Sequence, residues 1–260
     1  MPSISAVIAT YRRREACRRA IESVLAQTQP VEEVLVCDDG SDDGTVEMVA
    51  EWASRDPRVR PVAAPDHAGR PAPPRNRGIR AARGEWVAFL DDDDVWAPDK
   101  VQRQSAWMDD GADVVCANAM DSEGARYFPD WVDPQRFGRA TLLRTNPVIL
   151  SSAVARRTLL LRAGGVPEEP WLAGIEDYAL WLAVVDAGGR FVALPEPLVQ
   201  YASTGDAARL SRRIVANQVA VARLLWRRSV RRPRDRALRR AALSKSSYAL
   251  TVARQEWLGA

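Results

Sequence analysis

Lysine is almost absent from this chain. Among 37 basic residues only Lys100 and Lys245 are lysines, and the rest are arginines. A GC-rich genome explains that bias as readily as function does. Cysteine is sparse and scattered. Cys17, Cys37 and Cys116 lie far apart, an odd and unclustered set. That excludes a disulfide frame or a zinc site and points to reduced core thiols in a cytosolic protein. No apolar run approaches the roughly 20 residues of a membrane span. The opening residues, MPSISAVIATYRRR, have no charged segment ahead of their apolar stretch, which argues against a signal peptide. No GxGxxG follows the first apolar run, so nothing suggests a dinucleotide-binding oxidoreductase. Internal repeats and low-complexity linkers are also missing. Net charge is only +3, and no stacking aromatics interleave the basic residues, which speaks against a nucleic-acid partner.

What is present is ample material for a core. The chain has 260 residues, 47% of them hydrophobic. Its first half alternates between two periodicities. Strands are predicted at 4–10, 34–37, 59–63, 86–90 and 114–117. Helices are predicted at 16–27, 45–53, 74–82 and from Pro98 to about 108, with Thr45 as a cap, Gly84 as a stop and Pro98 in a first turn. Beyond residue 118 the pattern loosens into loops up to about 145. A strand at 148–155, a helix at 175–187 and a strand at 191–194 follow. From residue 206 the chain reads as helical and basic. Strands that alternate with helices, and are apolar on both faces, predict a single Rossmann-like, mostly parallel α/β sheet covered on two sides.

Residues 89–96 read FLDDDDVW. An apolar strand stops at four carboxylates that repel one another. A second acidic cluster, 38–43, follows the second strand, and TYRR at 10–13 follows the first. In such sheets the ligand crevice lies beyond the carboxyl ends of the strands, so three separate segments are predicted to meet there. A divalent cation, Mg2+ or Mn2+, would neutralise carboxylates gathered in this way, and diphosphate oxygens complete such a site. A solvated acidic turn that caps the next helix is the plainer alternative.

The segments ISAVIATYRRREACRRAIESVLAQT, VEEVLVCDDGSDDGT, PPRNRGIRAARGEWVAFLDDDDVWAPDK, GGVPEEPWLAGIEDYALWLAV and LPEPLVQY, in that order, resemble a family 2 glycosyltransferase of the GT-A fold. The resemblance covers about residues 2–201. It implies an inverting transfer from a nucleotide-diphosphate sugar (a UDP-, GDP- or dTDP-sugar) to an acceptor hydroxyl, on a surface glycan or a natural product. It implies that Tyr11, after Thr10, packs on the base. Asp39 reads the base edge beside Asp38, and Arg13 and Arg75 lie near the diphosphate and base. Within the DxD segment it assigns the metal to Asp93 with Asp91, and the ribose or metal side to Asp92. Glu176-Asp177 matches the motif that supplies the general base, with Asp177 the expected base. A plain helix cap is the alternative for Asp177.

The chain departs from the family pattern at Ala9 and Arg12, where Pro and Asn are usual, and at Pro74 in the ARN-like PRN. The only histidine, His67, precedes the DxD and cannot serve as a late metal ligand; it reads as a loop residue at the donor mouth. Trp181 and Trp96 could stack on sugar or fill core, and Trp131 lies where acceptors usually bind. The expected organisation is a glycosyltransferase domain at 1–205, with a nucleotide half at 1–118 and an acceptor half at 119–205. A basic helical extension follows at 206–260, broken at Pro233. It could pack on the domain, form a homodimer, or touch an anionic membrane at its inner face. A nucleotidyltransferase is a second reading. Its family signature needs glycine after the first strand, and TYRRREACRR has none. A degenerate, non-catalytic sugar-nucleotide binder is a third.

Overall fold

The structure, a computed structural model, describes residues 2–64, 66–201 and 214–258, with side chains at 2–64, 66–201 and 216–252. The expected domain boundary at 205–206 falls outside these residues. The described residues form one nine-stranded sheet in the order β3-β2-β1-β4-β8-β6-β9-β5, with β7 also paired to β9. The strands are β1 Ile4–Thr10, β2 Glu33–Asp38, β3 Val59–Pro61, β4 Trp86–Asp91, β5 Val95–Trp96, β6 Val114–Met120, β7 Gln135–Phe137, β8 Val154–Arg156 and β9 Phe191–Gln200. β1 to β4, β6 and β9 run one way; β5, β7 and β8 run against them. The fold is therefore the expected α/β type with a mostly parallel sheet.

Period-two alternation supplies a core to each face. On β1, Ile4, Ala6 and Ile8 point to one side and Val7 to the other. On β4, Trp86, Ala88 and Leu90 oppose Val87 and Phe89. The first face is covered by α1 (Arg14–Leu25), α2 (Thr45–Arg55) and α4 (Lys100–Asp109). The second is covered by α3 (Ala72–Ala81), α6 (Arg157–Arg162), α7 (Glu176–Asp186), α8 (Ile214–Arg231) and α9 (Arg236–Leu258). A short α5 (Arg139–Leu142) precedes β8. The basic extension packs on the domain through Val221, Leu224, Leu225, Leu238 and Ala242, and the chain turns between its two helices around Pro233. Trp181 and Trp96 are core residues; Trp131 is half-buried and stacks on Phe128 with centroids 4.1 Å apart.

Several local expectations change. Thr45 does not cap α2. Gly44 stands at its N-cap, and Asp43 ahead of it accepts from the Thr45 N–H with Oδ1 at 3.2 Å and from the Arg14 N–H at the start of α1 with Oδ2. Pro98 stands before the N-cap of α4, which is Asp99. The strand expected at 148–155 is split into a 3-10 turn, Leu150–Ser152, and β8. Ser152 turns the chain there, since its hydroxyl bonds the Ile149 carbonyl and accepts from the Ala117 N–H. The loop expected at 118–145 contains β7 and α5, both too short to leave a periodic signal.

α3 lies unusually close to the sheet. A Cβ on Gly78 would stand 2.4 Å from Val7 Cγ1 and 2.9 Å from Cys37 Sγ. Proline is tolerated in the first turn of α3, where N–H groups have no helical partner. Together these features seat Arg75, one turn before Gly78, over the ends of the central strands.

Candidate active site

The chain leaves β1 through a strained turn. Arg12 takes φ 51°, the left-handed region that non-glycine residues rarely occupy. Its N–H donates to Ser41 Oγ at 2.8 Å, which ties the β1 turn to the β2 turn. Asn tolerates this conformation better than Arg, so the departure at Arg12 costs backbone strain. The turn brings Arg13 back over the end of β4.

The acidic cluster after β2 divides by role. Asp38 is consumed by its own loop: Oδ1 accepts from the Gly40 and Ser41 N–H groups, both at 2.8 Å, and Oδ2 from the Ser41 hydroxyl. Asp42 pairs with Arg12, and Asp43 accepts from backbone N–H groups at the starts of α1 and α2. Asp39 is buried. Its Oδ2 accepts from the N–H groups of Ala68 and Gly69 at 3.1 and 3.0 Å, and Arg77 approaches Oδ1 at 3.4 Å. His67 Nδ1 lies 2.9 Å from the Asp39 carbonyl oxygen, and the His67 ring stacks on Tyr11 with centroids 3.9 Å apart. Tyr11 and Asp39 thus come together through His67, which contacts both.

The four aspartates after β4 also divide. Asp94 accepts from the Ser151 hydroxyl at 2.5 Å, and Ser151 Oγ accepts from the Asp91 N–H. Asp91 Oδ1 accepts from Arg75 Nη2 at 2.6 Å. Arg13 Nη1 reaches both remaining carboxylates, Asp92 at 3.3 Å and Asp93 more closely. Burial pushes the Asp92 carboxyl up to about 6, and the charges of Asp93 and Asp91 add to this, while Arg13 pulls the other way.

The fourth wall comes from the start of α7. Glu176 Oε1 accepts from Arg75 Nη1 at 2.9 Å, and Oε2 from the Gly174 N–H at 2.7 Å. Arg75 is buried, so one guanidinium joins the β4 terminus to the α7 terminus. The resemblance implied a place near the diphosphate; in the structure the guanidinium faces these two carboxylates. Asp177 Oδ2 accepts from Asn146 Nδ2 at 3.1 Å. Burial pushes its carboxyl up to about 6, the neighbouring Glu176 charge adds to this, and Arg75 opposes it. A partly exposed carboxyl poised there is ionised at neutral pH and can still take a proton.

Asn146, Ser151 and Arg77 were not foreseen. Asn146 sits in TNP and Ser151 in ILSS, segments with no charge cluster or motif to mark them. Arg77 is in the quoted PPRNRG, but only the fold turns it toward Asp39.

Among the described residues, no group of three or more His, Cys, Asp or Glu side chains converges to hold a metal unaided. The donor set still fits Mg2+ or Mn2+, which take one or two carboxylates and draw the rest from phosphates and water. Arg13 Nη1 lies against both Asp92 and Asp93, so these two carboxylates face a common cationic group.

Residues 5–162 match the family described as Glycosyl transferase family 2. The chain belongs to this glycosyltransferase family. Succinoglycan biosynthesis protein ExoO of Rhizobium meliloti is 41% identical over 135 residues, 50% of this chain and 38% of that protein. The Escherichia coli enzyme UDP-Glc:alpha-D-GlcNAc-diphosphoundecaprenol beta-1,3-glucosyltransferase WfgD is 30% identical over 183 residues, 70% of this chain and 69% of that protein. The chain thus spans about two fifths of ExoO and about two thirds of WfgD. Two solved structures share the fold. TarS residues 1–349 of S. aureus, in complex with UDP, has a TM-score of 0.68 at 20% identity, over 86% of this chain and 65% of that one. Mannosyltransferase PcManGT from Pyrobaculum calidifontis, in complex with GDP-Man and Mn2+, has a TM-score of 0.68 at 22% identity, over 98% of this chain and 75% of that one. Both likenesses support the GT-A type. The family match removes the grounds for a nucleotidyltransferase. Among the described residues, no helix is long and apolar enough to cross a membrane.

Proposed function

We propose that this family 2 glycosyltransferase moves a sugar from a nucleotide-diphosphate donor to an acceptor hydroxyl, with inversion and with a divalent cation. The observation that carries the proposal is the meeting of Arg13, Asp92 and Asp93 with the Arg75-Glu176-Asp177 group at the carboxyl ends of β1 and β4. Residues 1–118 supply the donor side and 119–205 the acceptor side. Tyr11 and Asp39 receive the base, Asp92 the ribose, and Asp93 the cation. Asp91, bonded to Arg75, would join Asp93 in holding the cation, and Arg13 would face the diphosphate. When bound, Mn2+ or Mg2+ stabilises negative charge on the leaving diphosphate. Asp177, oriented by Asn146, takes the proton of the acceptor hydroxyl as that oxygen attacks the anomeric carbon from the face opposite the leaving group. One displacement inverts the centre. The relatives named for succinoglycan and for a lipid-diphosphate acceptor support a surface-glycan acceptor over a natural product.

The test is thermal stability against a panel of UDP-, GDP- and dTDP-sugars, with and without Mn2+, because selective binding to the folded state raises its apparent stability. One nucleotide should raise the Tm only with metal, and Asp93→Ala should remove the metal requirement or the binding. No shift with any nucleotide in folded protein would refute the donor site.

A further inference from the structure

Charge is divided very unevenly along this chain. Residues 214–258 hold ten arginines and one lysine against only Asp235 and Glu256. With +3 overall, the remainder of the chain is net acidic. Core packing explains only one side of the two helices. On α8, Val219, Arg223, Trp226 and Val230 recur at helical spacing on the outward face, with Val219 52%, Trp226 39% and Val230 75% exposed. On α9, Leu243 and Leu250 recur one heptad apart and are 56% and 73% exposed. Trp226 Nε1 donates to Ser246 Oγ at 2.8 Å, and Ser246 lies between Leu243 and Leu250, so the two stripes are neighbours. Most of the large hydrophobics that the described residues expose lie on this hairpin.

We infer that the outer face of the α8–α9 hairpin docks on an anionic lipid surface. An exposed apolar strip flanked by arginine is the pattern of a helix lying in a membrane interface, where apolar burial and attraction to acidic headgroups add. An acidic protein would satisfy the arginines but leave Val230 and Leu250 in water. The location also fits. A Cβ on Gly174, in the loop leading to Glu176 and Asp177, would lie 3.2 Å from Asn217 Oδ1 at the start of α8. Arg223 and Arg227 lie over Trp171 of the same loop, 4.6 and 5.0 Å from the ring centroid. The lipid-facing strip therefore begins beside the acceptor end of the proposed site, as an enzyme working on a membrane-held acceptor requires.

The experiment is co-sedimentation of the full chain with phosphatidylcholine vesicles, with and without phosphatidylglycerol, across a salt series. The expected result is partitioning about tenfold or more stronger on the anionic vesicles and weakening as salt screens the arginines. Arg239→Glu/Arg240→Glu should abolish the preference for phosphatidylglycerol. Val230→Glu/Leu250→Glu should weaken binding at every salt concentration. All four side chains are exposed, so an unchanged Tm certifies the fold of each variant. Absence of vesicle binding, equal binding to neutral vesicles, or a solution dimer that Val230→Glu/Leu250→Glu dissociates without any lipid binding would overturn the inference. Donor binding in solution is measured separately, so failure of the donor site and failure of this surface are distinguishable.

Discussion

Replacing Arg75 with Met separates two roles for that residue. Its guanidinium is 8% exposed and donates to Asp91 and Glu176 at 2.6 and 2.9 Å. Removing one partner of a buried ion pair costs about 3–5 kcal/mol, because the remaining charge stays desolvated. Asp91 is 30% exposed and regains water, whereas Glu176 is 10% exposed and does not, so the lower end, about 3 kcal/mol, applies. For a chain of this size that corresponds to a Tm lowered by roughly 6–12 °C. The variant also changes the proposed base. Arg75 favours the ionised form of Asp177, so its loss moves that carboxyl above its present value of about 6. The acid limb of the pH profile of kcat/KM then shifts to higher pH, and activity lost at pH 7 partly returns at pH 8.5. Glu176→Gln moves the limb the other way, because it removes the like charge beside Asp177. Thermal unfolding and pH-rate profiles read both effects. Equal loss of activity at every pH, with unchanged Tm and an unmoved limb, would refute the reasoning and return Arg75 to the diphosphate.

Asp177→Asn should abolish transfer yet raise the Tm at pH 8. A carboxyl raised from 3.8 to about 6 by folding weakens the fold as pH rises through that interval, by roughly 2–3 kcal/mol at most above it, so the gain should vanish near pH 4. Gly78→Ala should lower the Tm. Overpacking costs about 1–3 kcal/mol, and a 2.4 Å approach to Val7 Cγ1 puts it at the upper end, above the roughly 1 kcal/mol of helix propensity gained. Arg12→Asn should leave stability unchanged or raise it by up to about 1 kcal/mol, since relief at φ 51° outweighs an exposed ion pair with Asp42; a clear loss in urea unfolding would contradict this.

Much of the fold was legible because its signals are local. β1 was bounded correctly from ISAVIAT alone, and β2, β4 and the helices between them followed from changes of period. The shorter elements left no such trace. Two residues of β5 or three of β7 become strands only because β9 offers them an edge. The turn at Ser152 depends on hydrogen bonds to distant backbone groups.

The candidate site divides in the same way. Composition and order alone determined that acidic segments would gather beyond the strand ends, and that the chain would resemble a nucleotide-sugar enzyme. Which carboxylate does what was decided by the tertiary structure. Asp38 and Asp94 look as available in sequence as Asp93, yet loop N–H groups and Ser151 take them, and Asp39 too is held by the Ala68 and Gly69 N–H groups. Arg75 stands 101 residues from Glu176, and only the close seat of α3 at Gly78 lets one guanidinium reach both it and Asp91. Local sequence sets residue type and period. Burial, partner and charge state belong to contacts between segments far apart in the chain, and they exist only once the sheet has formed.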